Sequence, residues 1–85
     1  MAAYRILFKR SAAGELEKIP RKDLARVIAK IRALEANPRP EGCRKLSIRE
    51  RYRIRQGDYR IVYEISDEEK EVYVYKIGHR SDVYQ

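Results

Sequence analysis

Residues 51–65 constrain the fold more than any other stretch, because two alternating segments meet there at a turn of defined geometry. Arg51 to Gln56 alternates strictly, with Tyr52 and Ile54 on one side and Arg51, Arg53 and Arg55 on the other. Tyr59 to Ile65 sets Tyr59, Ile61, Tyr63 and Ile65 on one side in the same way. Period-two alternation predicts two strands that each bury one face. Gly57-Asp58 between them suits a two-residue type II′ turn, whose first central position takes the positive φ that glycine adopts without strain. Such a turn fixes the register, so that 55 faces 60, 54 faces 61, 53 faces 62, 52 faces 63 and 51 faces 64. Tyr52–Tyr63 and Ile54–Ile61 then form an apolar face, and on the opposite face Arg51 meets Glu64. Arg55 meets Arg60 on that second face, with Arg53 two residues away. Like charges placed directly opposite destabilise a sheet by a few tenths of a kcal/mol, roughly. Stability does not explain this placement: a bound anion would relieve it, and the bland alternative is a solvated sheet face on which the long side chains splay apart. Guanidinium groups donate parallel hydrogen bonds and stay charged, which suits them to phosphate.

Upstream, the pattern turns helical. Tyr4 to Phe8 reads as a short opening strand. Ser11 is placed to cap a brief helix ending near Ile19, with Leu16 and Ile19 facing inward and Pro20 interrupting it. From Arg21 to about Ala36, the residues Leu24, Val27, Ile28, Ile31 and Leu34 form one apolar stripe. Asn37-Pro38 ends that helix, because the residue before a proline avoids the helical region. Leu46 and Ile48 open a further short strand. An acidic turn at Ser66 to Lys70 leads into a last strand, Glu71 to Ile77. The expected architecture is α+β: two N-terminal helices packed on a small antiparallel sheet, in the order βααβββ(β). Residues 1–85 form one domain, with no linker, repeat or low-complexity tract.

Twenty Lys and Arg against thirteen Asp and Glu leave a formal charge of +7. A basic small domain favours polyanions or acidic partners. The charge is segregated: residues 44–60 hold seven cations and two acids, while 64–71 hold five acids and one lysine. No apolar run approaches the roughly 18 residues of a membrane span. Nor does the N-terminus have the order of a signal peptide. One cysteine, Cys43, forbids an internal disulfide, and with the single His79 it forbids a dedicated Cys/His zinc site. These features point to a metal-free, cofactor-free cytoplasmic protein.

The chain closes with Ile77-Gly78-His79-Arg80-Ser81-Asp82-Val83-Tyr84. Together with Lys45-Leu46 and Tyr52-Arg53-Ile54-Arg55-Gln56-Gly57-Asp58-Tyr59-Arg60-Ile61-Val62-Tyr63, this ending resembles the RelE branch of the RelE/ParE toxin superfamily, over essentially the whole chain. The resemblance implies the toxin of a type II toxin–antitoxin system: a ribosome-dependent endoribonuclease that cuts mRNA in the A site without a metal. It also implies a RelB-type antitoxin partner, and a complex that binds operator DNA through that antitoxin. Arg53, Arg55, Arg60 and Arg80 match basic catalytic positions, and Tyr84 matches the catalytic tyrosine. Lys45, Arg49, Arg51 and His79 are candidate RNA contacts, although Arg51 has the bland alternative of pairing with Glu64.

Metal-free cleavage requires the 2′-hydroxyl to lose a proton, the phosphate to be stabilised as charge builds, and the leaving oxygen to gain a proton. Some relatives carry lysines at the positions of Arg53 and Arg55. Arginine stays protonated, so a lysine-as-base scheme does not transfer. His79 is the one side chain here that ordinarily titrates near neutrality, and is a second candidate for proton transfer. Two other readings keep the fold and change the task. One is a ParE-like inhibitor of DNA gyrase, and the other is a non-catalytic, antitoxin-binding co-repressor.

Overall fold

The computed structural model describes residues 3–46 and 49–79. Ile48, expected in a strand, and Arg80 and Tyr84, expected in the site, lie outside the described residues. The elements are β1 (Arg5–Phe8), α1 (Arg10–Glu17), α2 (Arg21–Arg32) with a 3₁₀ turn at Ala33–Glu35, β2 (Arg44–Lys45), β3 (Arg51–Gln56), β4 (Tyr59–Ser66) and β5 (Glu71–His79). They form a five-stranded sheet in the order β1-β5-β4-β3-β2, with α1 against β5 and α2 against β3.

The expected α+β fold stands, and the hairpin register is as the turn dictates at every pair from Arg51–Glu64 to Gln56–Tyr59. Gly57 takes φ 61°, the positive value a type II′ turn requires at that position. The sheet is not wholly antiparallel, however, because β1 pairs parallel with β5. The crossover that a parallel pair needs is supplied by everything between the two strands.

β1 starts one residue later than expected, at Arg5, β5 runs past Ile77 to His79, and three further differences change the packing. Ser11 is not a cap: α1 begins at Arg10 with Lys9 in the capping position and no side-chain cap bond. The Lys9 amide still bonds the Val74 carbonyl of β5 at 2.9 Å, so the switch from strand to helix falls before Ser11. The second helix tightens after Arg32 into the 3₁₀ turn, which tucks Leu34 fully under the sheet before Pro38. The strand expected at Leu46 and Ile48 is Arg44–Lys45, paired with Arg53 and Tyr52.

The core lies between the helices and one sheet face. Ala12, Ile19, Val27, Ile31 and Leu34 pack there against Tyr52, Ile54, Ile61, Tyr63, Ile65, Val72, Val74 and Ile77. Ile28, at the margin of the helical stripe, remains 37% exposed. Buried Val72, Val74 and Ile77 break the period of two, because the register shifts by one between Val62 and Tyr63. Tyr75 is the extra residue of this bulge, so Tyr73 and Tyr75 share the outer face and Ile77 returns to the core.

Two polar devices hold the frame. Tyr63, fully buried, donates its Oη–H to the Pro38 carbonyl at 2.7 Å and so anchors the helix exit. Beyond Val74, β5 has outrun β1, and Glu15 of α1 takes the place of a neighbouring strand. Its Oε1 accepts the Ile77 amide at 2.8 Å, and its Oε2 accepts Lys76 Nζ at 3.1 Å.

Candidate nucleic-acid interface

The sheet has an inner face against the helices and an outer face that carries the arginines. Opposed residues share a face, so the register alone gives the outer rows. One row is Arg55–Arg60–Gly78, and the next is Arg44–Arg53–Val62–Lys76. A third is Arg51–Glu64–Tyr73. The structure therefore brings Arg53, Arg55 and Arg60 together. The chain folds this way because the turn residues Gly57-Asp58 set the hairpin, and strict alternation sends every second residue outward.

The arginines differ in setting. Arg55 is exposed, while Arg53 and Arg60 are only 6% and 7% exposed despite lying on the outer face. Buried cations are costly unless partnered, and both engage neighbours. No buried side-chain polar atom among the described residues lacks a hydrogen-bond partner.

The other candidate contacts are placed differently. Arg51 Nη2 lies 2.8 Å from Glu64 Oε2, and its guanidinium sits 4.3 Å from the centre of the Tyr75 ring. Lys45 Nζ pairs with Glu50 at 3.2 Å. His79 is opposite Tyr59, on the inner face, with the two rings edge to face at 5.8 Å. Its Nε2 stands 3.9 Å from Asp58 Oδ2. It lines a cleft of about 240 Å³ with Asp23, Arg26, Gln56 and Asp58, across the sheet from Arg55 and Arg60. The structure thus separates His79 from the arginine rows. Arg44 lies directly opposite Arg53, a site neighbour that the alternation of the central hairpin does not reveal.

Beside this surface lies an ion network centred on Arg39. Its guanidinium pairs with Glu50 and with Asp67, 2.9 Å from Oδ2, and its Nε donates to Tyr52 Oη at 3.1 Å. Tyr4 Oη donates to Asp67 at 2.6 Å. Hydrogen bonds from Arg39 and Tyr4 hold the Asp67 carboxyl down to about 2. Those from Arg39, Lys45 and Tyr52 lower Glu50 too. The network joins the helix exit, the start of β3 and the β4–β5 turn, and so steadies the strand that carries Arg53 and Arg55. Among the described residues no cluster of His, Cys, Asp or Glu is arranged to hold a metal ion, and no helix is long and apolar enough to cross a membrane.

A basic sheet face backed by two helices, with cations opposed across the central hairpin, defines a small basic α+β protein. Comparison with known proteins makes the class specific. Residues 6–84 match the family of ParE toxins of type II toxin–antitoxin systems. Toxin RelG of Mycobacterium tuberculosis is 31% identical over 96% of this chain and 97% of its own length. The isolated Escherichia coli RelE toxin superposes with a TM-score of 0.83 at 29% identity, covering 96% of this chain and 92% of that one. The Mycobacterium tuberculosis toxin–antitoxin complex RelBE2 contains a chain that superposes with a TM-score of 0.81 at 29% identity, over 96% and 97% of the two chains. The chain belongs to the RelE/ParE family of toxins of type II toxin–antitoxin systems.

Proposed function

We propose that this toxin cleaves mRNA in the ribosomal A site by attack of the 2′-hydroxyl on the adjacent phosphate. The observation that carries the reading is the Arg55–Arg60 opposition beside Arg53 on the outer sheet face, in a chain of this toxin family. Opposed guanidinium groups can grip the two non-bridging oxygens of one phosphate and hold the in-line geometry. They also match the extra charge of the pentacoordinate transition state, the largest electrostatic demand of the reaction. Attack breaks the bond to the 5′-oxygen and leaves a 2′,3′-cyclic phosphate and a 5′-hydroxyl. Arg80 joins the phosphate clamp, and Tyr84 stacks on a base or moves a proton. Arg49 contacts the nucleic-acid backbone at the rim. Lys45 and Arg51 stabilise the strands through Glu50 and Glu64 and reach RNA only secondarily. His79 serves as a contact beyond the sheet end, because its side chain lies across the sheet from the arginines.

The partner that silences the toxin is a RelB-type antitoxin, through which the pair binds operator DNA. A relative solved as the RelBE2 toxin–antitoxin complex supports this. So does an apolar groove of about 370 Å³ lined by Ile6, Phe8, Leu16, Ile28 and Ile31, where Phe8 and Ile28 are more than a third exposed. The test is to map mRNA ends on ribosomes with an empty A site, using wild type, Arg55→Ala and Arg80→Ala. A-site cuts by wild type, strongly reduced in both variants, support the reading. A second reading, inhibition of DNA gyrase, is favoured by the ParE description of the matching family. Intact mRNA together with blocked supercoiling would select it.

A further inference from the structure

We propose that the solvent side of α2 is a second RNA-contacting surface, on which Lys22, Arg26 and Lys30 grip the phosphate backbone of folded ribosomal RNA. The inference rests on the proposal that the toxin works on the ribosome.

Three observations carry it. First, the charge on α2 is one-sided and unmatched. The helix holds the cations Arg21, Lys22, Arg26, Lys30 and Arg32 against a single acid, Asp23. No carboxylate among the described residues forms an ion pair with any of these cations, whereas Arg5, Arg39, Lys45, Arg51 and Lys76 each have one. Lys22, Arg26 and Lys30 follow one another at i, i+4 and i+8, so like charges line one stripe at about 6 Å intervals. Arg21 and Lys22 also stand in the first turn, where the helix dipole disfavours cations. Both placements weaken the helix, and a bound polyanion relieves both. The interval along the stripe is comparable with that between neighbouring phosphates of an RNA strand.

Second, the surface lets a backbone come close. Ala25 and Ala29 are exposed, and the turn of the helix sets them between the stripe and the pair Arg21 and Arg32. A low strip of alanines with cations on either side admits a phosphate backbone and reaches it from both sides. Third, no large apolar side chain is offered there. Leu24, Val27 and Ile31 pack into the core, and Ile28 lines the groove beside Phe8. A protein partner draws its affinity from a few well-packed anchors in pockets, which the groove supplies and this side of α2 does not. A phosphate backbone needs cations and close approach. Since α2 packs beneath the sheet, its solvent side faces away from the arginine-bearing face, and the two RNAs are held on opposite sides of the toxin.

The experiment measures binding of the full chain to ribosomes with an empty A site across a series of salt concentrations, with cleavage rates recorded in parallel. Each phosphate contact on a duplex contributes about 0.9 to the slope of log K against log salt. Lys22→Ala with Arg26→Ala is expected to lower that slope by about 1.8 and to weaken binding several-fold at low salt. KM for ribosomes rises while kcat stays near wild type, as befits a docking surface. Lys22→Arg with Arg26→Lys, which keeps both charges, retains the slope. Arg5→Ala with Lys18→Ala, which removes two exposed cations elsewhere, leaves it close to wild type. The surface is refuted if the α2 double variant keeps the wild-type slope, or if the Arg5 and Lys18 variant lowers it equally. It is also refuted if the α2 variant loses affinity for an antitoxin and none for ribosomes, which would assign the stripe to a protein. Failure of wild type to bind ribosomes overturns the surface as well. Binding without cleavage by wild type would overturn the cleavage reading alone, and the slopes would still decide the role of α2.

Discussion

Arg39 shows how one side chain can tie distant segments together. It spans the helix exit, β3 and the β4–β5 turn through Glu50, Tyr52 and Asp67. Asp67 is held at about 2 against an ordinary 3.8, chiefly by Arg39. A depressed folded-state pKa contributes stability above the ordinary value, and that stability is lost as pH falls through the folded value. Asp67→Asn should therefore melt lower than wild type at neutral pH, and its melting temperature should fall less steeply between pH 4 and 2. Thermal melts over that range check both statements. Tyr63 is the other residue-scale anchor, and burial raises its hydroxyl well above the ordinary tyrosine value. Tyr63→Phe keeps the ring and leaves the Pro38 carbonyl without its donor. A loss of about 1–2 kcal/mol in denaturant unfolding is expected.

The central hairpin was legible in the sequence because local and global signals agree there. The turn demands a positive φ, glycine supplies it, and the alternation on both sides puts the tyrosines and isoleucines inward. Gly57→Ala should cost about 1–2 kcal/mol, the penalty of a side chain in the left-handed region, measured by chemical denaturation. Elements outside that agreement were harder to read. The sequence between Lys45 and Arg51 carries no two-residue turn motif like Gly57-Asp58, so nothing local fixes β2 against β3 or makes Arg44 legible as a neighbour of Arg53. The parallel pairing of β1 depends on long-range packing that no short window contains. The bulge at Tyr75 did leave a trace, since Val72, Val74 and Ile77 are spaced two and then three apart. Glu15 could not be read at all, because its role depends on where β1 stops. Removing it in Glu15→Ala leaves the Ile77 amide on an open edge, and a loss of about 1 kcal/mol is expected on unfolding.

At the scale of the whole molecule, the two sheet faces divide the work. The inner face is apolar and carries the helices, and the outer face gathers the cations that the hairpin register opposes. Of the candidate site, the Arg53, Arg55 and Arg60 cluster was legible because all three sit on the one hairpin whose geometry the sequence determines. The separation of His79 from that cluster was not, since it depends on a one-residue shift in β5. The faces make different demands: changes on the inner face should act on stability first, and changes on the outer face on the reaction. The most direct test is single-turnover cleavage of mRNA on A-site-programmed ribosomes by wild type, Arg55→Ala and His79→Ala, each verified as folded. If the outer face carries the chemistry, Arg55→Ala slows cleavage by about 10²-fold or more, and His79→Ala stays close to wild type. A large loss at His79 with little at Arg55 would contradict the account and move the chemistry to the inner cleft.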